Sequence, residues 1–292
     1  MKRATEDLPP LPSPTVRFGH DFQARLAALS ARTSRRRAQR EGTGAVTPGG
    51  GEDFVGYRPY ARGEDLRRLD WSLFARLRRP YVRVLRREAG ERWQIALDAS
   101  ASMGVGPPGK LQRGAELAAA IASLGARSGA RVEVAIARAG APAPFVIERT
   151  GDVRELCAFL ECVVAEGRFS LVVPVERTRA AAARTFVIGD LCGVAHAEVL
   201  VLARSRSELA LLQLLAPHEL EPEPRGAVEW VDPESGARIA TTVDRASAGA
   251  YVRELERELE SWRAAAAAHR VRYGCFSSAV AFEDVLAKLG IA

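Results

Sequence analysis

The sequence is poor in the features that mark membrane, disulfide-bonded and hydrolytic proteins. No apolar run in its 292 residues approaches the roughly 20 that a membrane helix needs. The opening Met1-Lys2-Arg3-Ala4-Thr5-Glu6-Asp7 also lacks the apolar block of a signal peptide, so the expectation is a cytoplasmic chain. Its four cysteines, Cys157, Cys162, Cys192 and Cys275, form no C-x-x-C pair and sit in runs that read as buried helix or strand, which argues against disulfides and zinc. The four histidines, His20, His196, His218 and His269, are scattered without H-E-x-x-H spacing. No G-x-S-x-G elbow frames a serine nucleophile, so the expectation is a protein that is not an enzyme. Gly104 to Leu111 imitates a phosphate-binding loop, but Leu111 stands where a hydroxyl is needed, and Pro107 and Pro108 remove amides that should cradle phosphate.

What is present is an ordinary globular composition, 47% hydrophobic with a formal net charge of +6, enough for one large domain or two modest ones. The charge is uneven. Residues 1–92 hold 20 basic and 11 acidic residues, and the remainder is slightly acidic. The densest basic run, Arg32 to Arg40, has no interleaved aromatic residues for base stacking, so it reads as a solvated arm or a docking surface for an acidic partner rather than a nucleic-acid site.

Along the chain, Met1 to Thr15 is proline-rich and charged and reads as a mobile tail. Phe18, Phe22, Leu26 and Leu29 recur at helical spacing, which predicts an amphipathic helix over about Arg17 to Ala31 whose apolar face must dock somewhere. Gly42 to Gly51 reads as a flexible loop. From Phe54 to Arg87, rings alternate with charges of both signs at a density unsuited to a simple strand or helix. Large rings imply burial, and charges beside them must be paired. The expectation is a packed network of Tyr57, Arg58, Tyr60, Asp65, Arg67, Asp70, Trp71 and Arg76, followed by an edge strand at Tyr81 to Arg86.

After residue 92, apolar runs and helical runs alternate: strands at Trp93–Leu97, Arg131–Ala137, Thr185–Gly189, Leu209–Leu215 and Val271–Phe276, and helices at Lys110–Ser128, Val153–Val164, Ser247–His269 and Phe282–Leu289. Phe145–Ile147 reads as a short edge strand, Asp152 as a helix cap, Gly226–Val243 as a hairpin and Trp262 as an anchor. That alternation predicts a three-layer α/β domain with a mostly parallel sheet. The expected organisation is an N-terminal arm over residues 1–50, an arginine- and aromatic-rich segment over 51–92 and the main domain over 93–292.

The run Trp93 to Gly104 is an apolar strand that ends abruptly in Asp98, Ser100 and Ser102 at alternate positions. In an extended loop these three project to one side, and three hard oxygen ligands suit magnesium. The alternative is that Asp98 caps the next helix and the serines form the turn. Asp190 repeats the theme at the end of the Thr185–Gly189 strand, and in open α/β sheets ligands bind beyond the carboxyl ends of strands where strand order reverses.

Several blocks in one order carry a resemblance. The pattern F-x-x-Y-R-x-Y-x-x-G-E-D-x-R-x-x-D-W from Phe54 to Trp71, then Ala75-Arg76, then D-x-S-x-S-M from Asp98 to Met103, resembles the bacterial family called domain of unknown function fifty-eight, most strongly from Phe54 to Ala137. That family resembles von Willebrand A proteins, and D-x-S-x-S is similar to their metal-ion-dependent adhesion site. The resemblance implies a von Willebrand A-like, Rossmann-type fold, with Asp190 as the distal aspartate of a magnesium site. Those proteins also use a threonine from a second loop. Here the loop is Gly167 to Leu171, Phe169 holds the threonine's place, and Ser170 is the available substitute. Family members are often encoded beside MoxR-type AAA+ ATPases, and many carry membrane helices that this chain lacks. The implied function is a non-enzymatic adapter that binds a partner protein through magnesium and works with such an ATPase. The alternatives are a scaffold that binds through its basic N-terminal region and, more weakly, a metal-dependent hydrolase.

Overall fold

A computed structural model describes residues 16–41, 52–60, 70–87, 91–170, 182–204, 208–223 and 226–291. The chain divides into two compact units, residues 1–37 with 91–292, and residues 38–90. The expected tail at 1–15 and the glycine-rich loop at 42–51 lie outside the described residues.

The larger unit is a mixed α/β structure around a six-stranded sheet. Its strands are β3 (Arg92–Leu97), β4 (Arg131–Ile136), β5 (Phe145–Ile147), β6 (Arg184–Gly189), β7 (Glu208–Leu215) and β10 (Arg272–Ser277). The spatial order is β10-β7-β6-β3-β4-β5, and only β5 is antiparallel. The central strands are buried almost end to end because helices cover both faces, which is why they read as continuous apolar runs without alternation. The chain moves outward from β3 through β4 to β5, then returns to lay β6 on the other side of β3. Strand order therefore reverses between β3 and β6.

One face is covered by α1 (His20–Glu41), α3 (Lys110–Arg127), α4 (Val153–Glu161) and the closing helix Phe282–Lys288. The helix expected to end near Ala31 continues to Glu41. Its apolar stripe of Phe22, Leu26 and Leu29 joins the main core: Phe22 lies 5.3 Å from Phe282, and Arg25 makes two hydrogen bonds to Glu283. The opposite face is covered by His196–Leu200 and the long helix Arg245–Ala268, whose Trp262 is fully buried. Asp152 holds the N-cap position of α4, as expected, but its side chain makes no capping bond to the helix. Its carboxylate instead accepts the Glu148 and Arg149 amides behind it. Of the four free cysteines only Cys157 is buried, and Cys162 and Cys192 are exposed, contrary to the expectation from their apolar neighbours. Strands β8 (Gly226–Val231) and β9 (Arg238–Val243) form the separate hairpin. Among the described residues, no helix is long and apolar enough to cross a membrane.

The smaller unit corrects one expectation about local structure. Glu52–Pro59 is a regular strand, β1, paired antiparallel with β2 (Tyr81–Arg87) through a bulge near Phe54 and Gly56. The ladder dominates there because backbone pairing holds the two strands together on both sides of the bulge, whatever their charge density. Helix α2 (Trp71–Leu77) is capped by Asp70, whose Oδ1 accepts the Leu73 amide at 3.0 Å and whose Oδ2 accepts the Tyr57 hydroxyl at 3.0 Å. Asp70 is buried, while Trp71 is 62% exposed and Tyr57 is exposed, where packed rings were expected. Arg58, Tyr60 and Arg76 lie in the same unit, and Asp65 and Arg67 fall outside the described residues.

Candidate metal centre

Asp98 and Asp190 each follow the last residue of one of the two strands that flank the reversal. Their positions are set by the parallel register Leu97↔Ile188, and the Asp98 amide extends that ladder to the Ile188 carbonyl at 2.8 Å. The topology thus delivers both carboxylates to one end of the sheet, the place where open α/β sheets take ligands.

Asp98 is fully buried. Its Oδ1 accepts the Ser100 amide at 2.8 Å, which folds the loop back on the strand end. Its Oδ2 is buried with no hydrogen-bond partner among the described residues. An ionised carboxylate oxygen without a partner is costly in a protein interior. The Asp98 carboxyl is accordingly pushed up to about 7, first by burial and then by the neighbouring Asp190 charge. Ser100 is buried too, and its hydroxyl lies 2.9 Å from that of Ser102. The loop does not stay extended: a 3-10 turn begins at Ala101. Even so, both hydroxyls remain beside the strand end, and Asp98 caps no helix.

The second loop borders the same place. Glu166 donates its amide to Ala99 O at 2.9 Å, Ala101 donates to Gly167 O at 3.0 Å, and Ser170 donates to Ala137 O at 3.1 Å. Ser170 therefore sits beyond the end of β4. Phe169, in the threonine's expected place, packs with the apolar cluster around Trp262.

Asp190 differs from Asp98 in being saturated. Its Oδ1 accepts the Cys192 amide at 3.1 Å, and its Oδ2 accepts a hydrogen bond from Lys110 Nζ at 2.9 Å. Its backbone carbonyl accepts Gln213 Nε2 at 2.8 Å, and Gln213 is in turn held by the Tyr273 hydroxyl at 2.6 Å. Lys110 also reaches Glu219 Oε1 at 2.7 Å. Burial alone works against a charged lysine, but the Asp190 and Glu219 charges outweigh it and raise Lys110 above its ordinary value. Sequence reasoning missed Lys110 and Glu219. Lys110 was visible only as the lysine of a failed phosphate loop and the start of a helix, and Glu219 follows a different strand, so nothing in the sequence joined the two.

The donor set suits a small hard cation: one unpartnered buried carboxylate oxygen, two adjacent hydroxyls and a second carboxylate held nearby. Asp98, Ser100 and Ser102 are the residues able to ligate directly. Asp190 has both oxygens engaged by the protein.

The family model described as "Protein of unknown function DUF58" matches residues 56–261. Uncharacterised proteins of Mycobacterium bovis and Mycobacterium tuberculosis are each 29% identical over 236 residues, covering 77% of this chain and 71% of theirs. Among solved structures, the conserved hypothetical protein BatB from Bacteroides thetaiotaomicron matches at 16% identity with a TM-score of 0.40, over 70% of this chain and 100% of that one. An aerotolerance-related membrane protein from Bacteroides fragilis matches at 17% identity with a TM-score of 0.41, over the same shares. With a family match that spans most of its length, this chain belongs to the DUF58 family.

Proposed function

We propose that this protein is a non-enzymatic adapter with a von Willebrand A-like domain, acting in the cytoplasm, that captures a partner protein through a magnesium ion held by Asp98, Ser100 and Ser102, with Asp190 behind them and Ser170 at the rim. One observation carries it: Asp98 Oδ2 is buried with no hydrogen-bond partner among the described residues, at the head of the loop that pairs the Ser100 and Ser102 hydroxyls and at the point where strand order reverses. A bound divalent ion would supply that oxygen's missing partner and leave open positions for a carboxylate from another protein. The motif resemblance makes a MoxR-type AAA+ ATPase, or the client of one, the candidate partner. The test is magnesium titration by calorimetry. Wild type is expected to bind and Asp98→Ala to bind no ion, and equal behaviour of the two removes the metal from the proposal.

A second reading is favoured by the Lys110–Asp190 pair, which already satisfies half of the acidic site. On this reading the residues are structural, and partners bind through the basic N-terminal region. Removing residues 1–50 then abolishes partner capture, while Asp98→Ala leaves it intact.

A further inference from the structure

Lys110 belongs neither to a working phosphate loop nor to the proposed ligand set, yet its side chain is only 1% exposed. Lysine is among the residues least often fully buried, because an ammonium out of water needs compensating charge. Here the compensation is specific. Nζ lies 2.9 Å from Asp190 Oδ2 and 2.7 Å from Glu219 Oε1, and Glu219 is itself fixed by the Ala216 amide on Oε2 at 2.6 Å. The ammonium therefore stands between the site's second carboxylate and an outer anchor that draws it the other way.

We propose that Lys110 is a tethered counter-cation of the metal site: its ammonium takes up the negative charge of Asp190 that a divalent ion would otherwise meet, and so holds the site at a weak, exchangeable affinity. This deepens the metal-site reading and rests on it. Lys110 is a positioning residue, acting on the ion through Asp190. With Asp98 ionised, as a ligand must be, the ammonium offsets one of the negative charges that a divalent ion would meet there. Removing the ammonium adds one negative charge to that total. Removing the Glu219 charge takes one away and leaves Lys110 wholly to Asp190. The two changes act on the ion in opposite directions, which a merely structural role for Lys110 does not produce.

The test is calorimetric titration of the full chain with magnesium chloride, for wild type, Lys110→Met and Glu219→Gln, with thermal melting of each to verify folding. Lys110→Met is expected to tighten magnesium binding by about tenfold or more, and Glu219→Gln to weaken it by a similar factor, since one unit charge has been removed or exposed at short range. If Lys110→Met melts early without metal, millimolar magnesium should raise its melting temperature more than that of wild type, and no such rescue counts against the proposal. Glu219→Gln keeps the lysine and tests the opposite sign. If wild type binds magnesium but both variants weaken, or neither moves, the counter-cation is overturned and the metal site stands. If neither wild type nor Lys110→Met binds, both are overturned.

Discussion

Gly189 and Asp98 approach so closely that no side chain fits between them. A β-carbon built on Gly189 would lie 2.5 Å from Asp98 Cβ and 2.6 Å from its Oδ2. The absence of a side chain at Gly189 is thus what leaves room for the Asp98 carboxylate at the end of the neighbouring strand. Gly189→Ala is expected to displace Asp98, to lower stability by about 1–3 kcal/mol and to abolish the response to magnesium. Gly151→Ala, where an added β-carbon meets nothing within 4 Å, serves as the control and should change stability by less than about 0.5 kcal/mol. Chemical denaturation with and without magnesium measures both.

The raised Asp98 carboxyl makes stability depend on pH. Its folded value of about 7 lies above the ordinary 3.8, so between these two values the folded state holds a proton that the unfolded state has released. Stability therefore falls as pH rises from about 4 to about 7, and the loss is complete above that, amounting to a few kcal/mol. Asp98→Asn keeps an oxygen for the Ser100 amide and cannot ionise. It should be more stable than metal-free wild type at pH 8 and show a flatter profile between pH 5 and 8. Thermal melting across that range decides it, and an unchanged slope in Asp98→Asn shows that other groups set the dependence.

Breaking a buried pair costs more than replacing it whole. Lys110→Met leaves Asp190 and Glu219 without their cation and should lose about 3–5 kcal/mol in metal-free solution. Adding Asp190→Asn removes the most deeply buried of the two stranded charges, and the double variant should recover much of that loss. Strict additivity of the two substitutions in urea denaturation would show that the pair is not coupled.

The docking of α1 on the main core is apolar first and ionic second. Phe22 is 3% exposed between Phe18 and Phe282, so Phe22→Ala should cost about 3–5 kcal/mol. Arg25 is 37% exposed, and its paired bonds to Glu283 should be worth about 1 kcal/mol or less. If Arg25→Ala proves the more damaging in urea denaturation, the ionic contact and not the aromatic one secures the helix.

Much of the fold was legible because the elements of an α/β unit advertise themselves locally. The strand at Trp93–Leu97, the helix opening at Lys110 and the hairpin around Asp232–Gly236 were readable from apolar period and turn residues alone. The strand at Glu52–Pro59 was not, because its identity comes from its partner β2 rather than from its own pattern. Trp71 misled for a related reason: a large ring implies burial only where enough surface surrounds it, and at the start of α2 it meets the edge of Phe74 and stays 62% exposed. In the site, Asp98, Ser100 and Ser102 were legible together because they fall at alternate positions in one short loop.

By itself the sequence determined the order of strands and helices, the acidic ends of two strands and the hydroxyls beside one of them, since each depends on residues within a few positions of one another. The tertiary structure alone decided that β6 lies against β3, that Lys110 swings into the space beside Asp190, and that Glu219 meets it from 109 positions further along the chain. Charges in a buried cluster are set by whatever surrounds them in space, and a linear pattern carries no record of which distant residue completes the neutralisation.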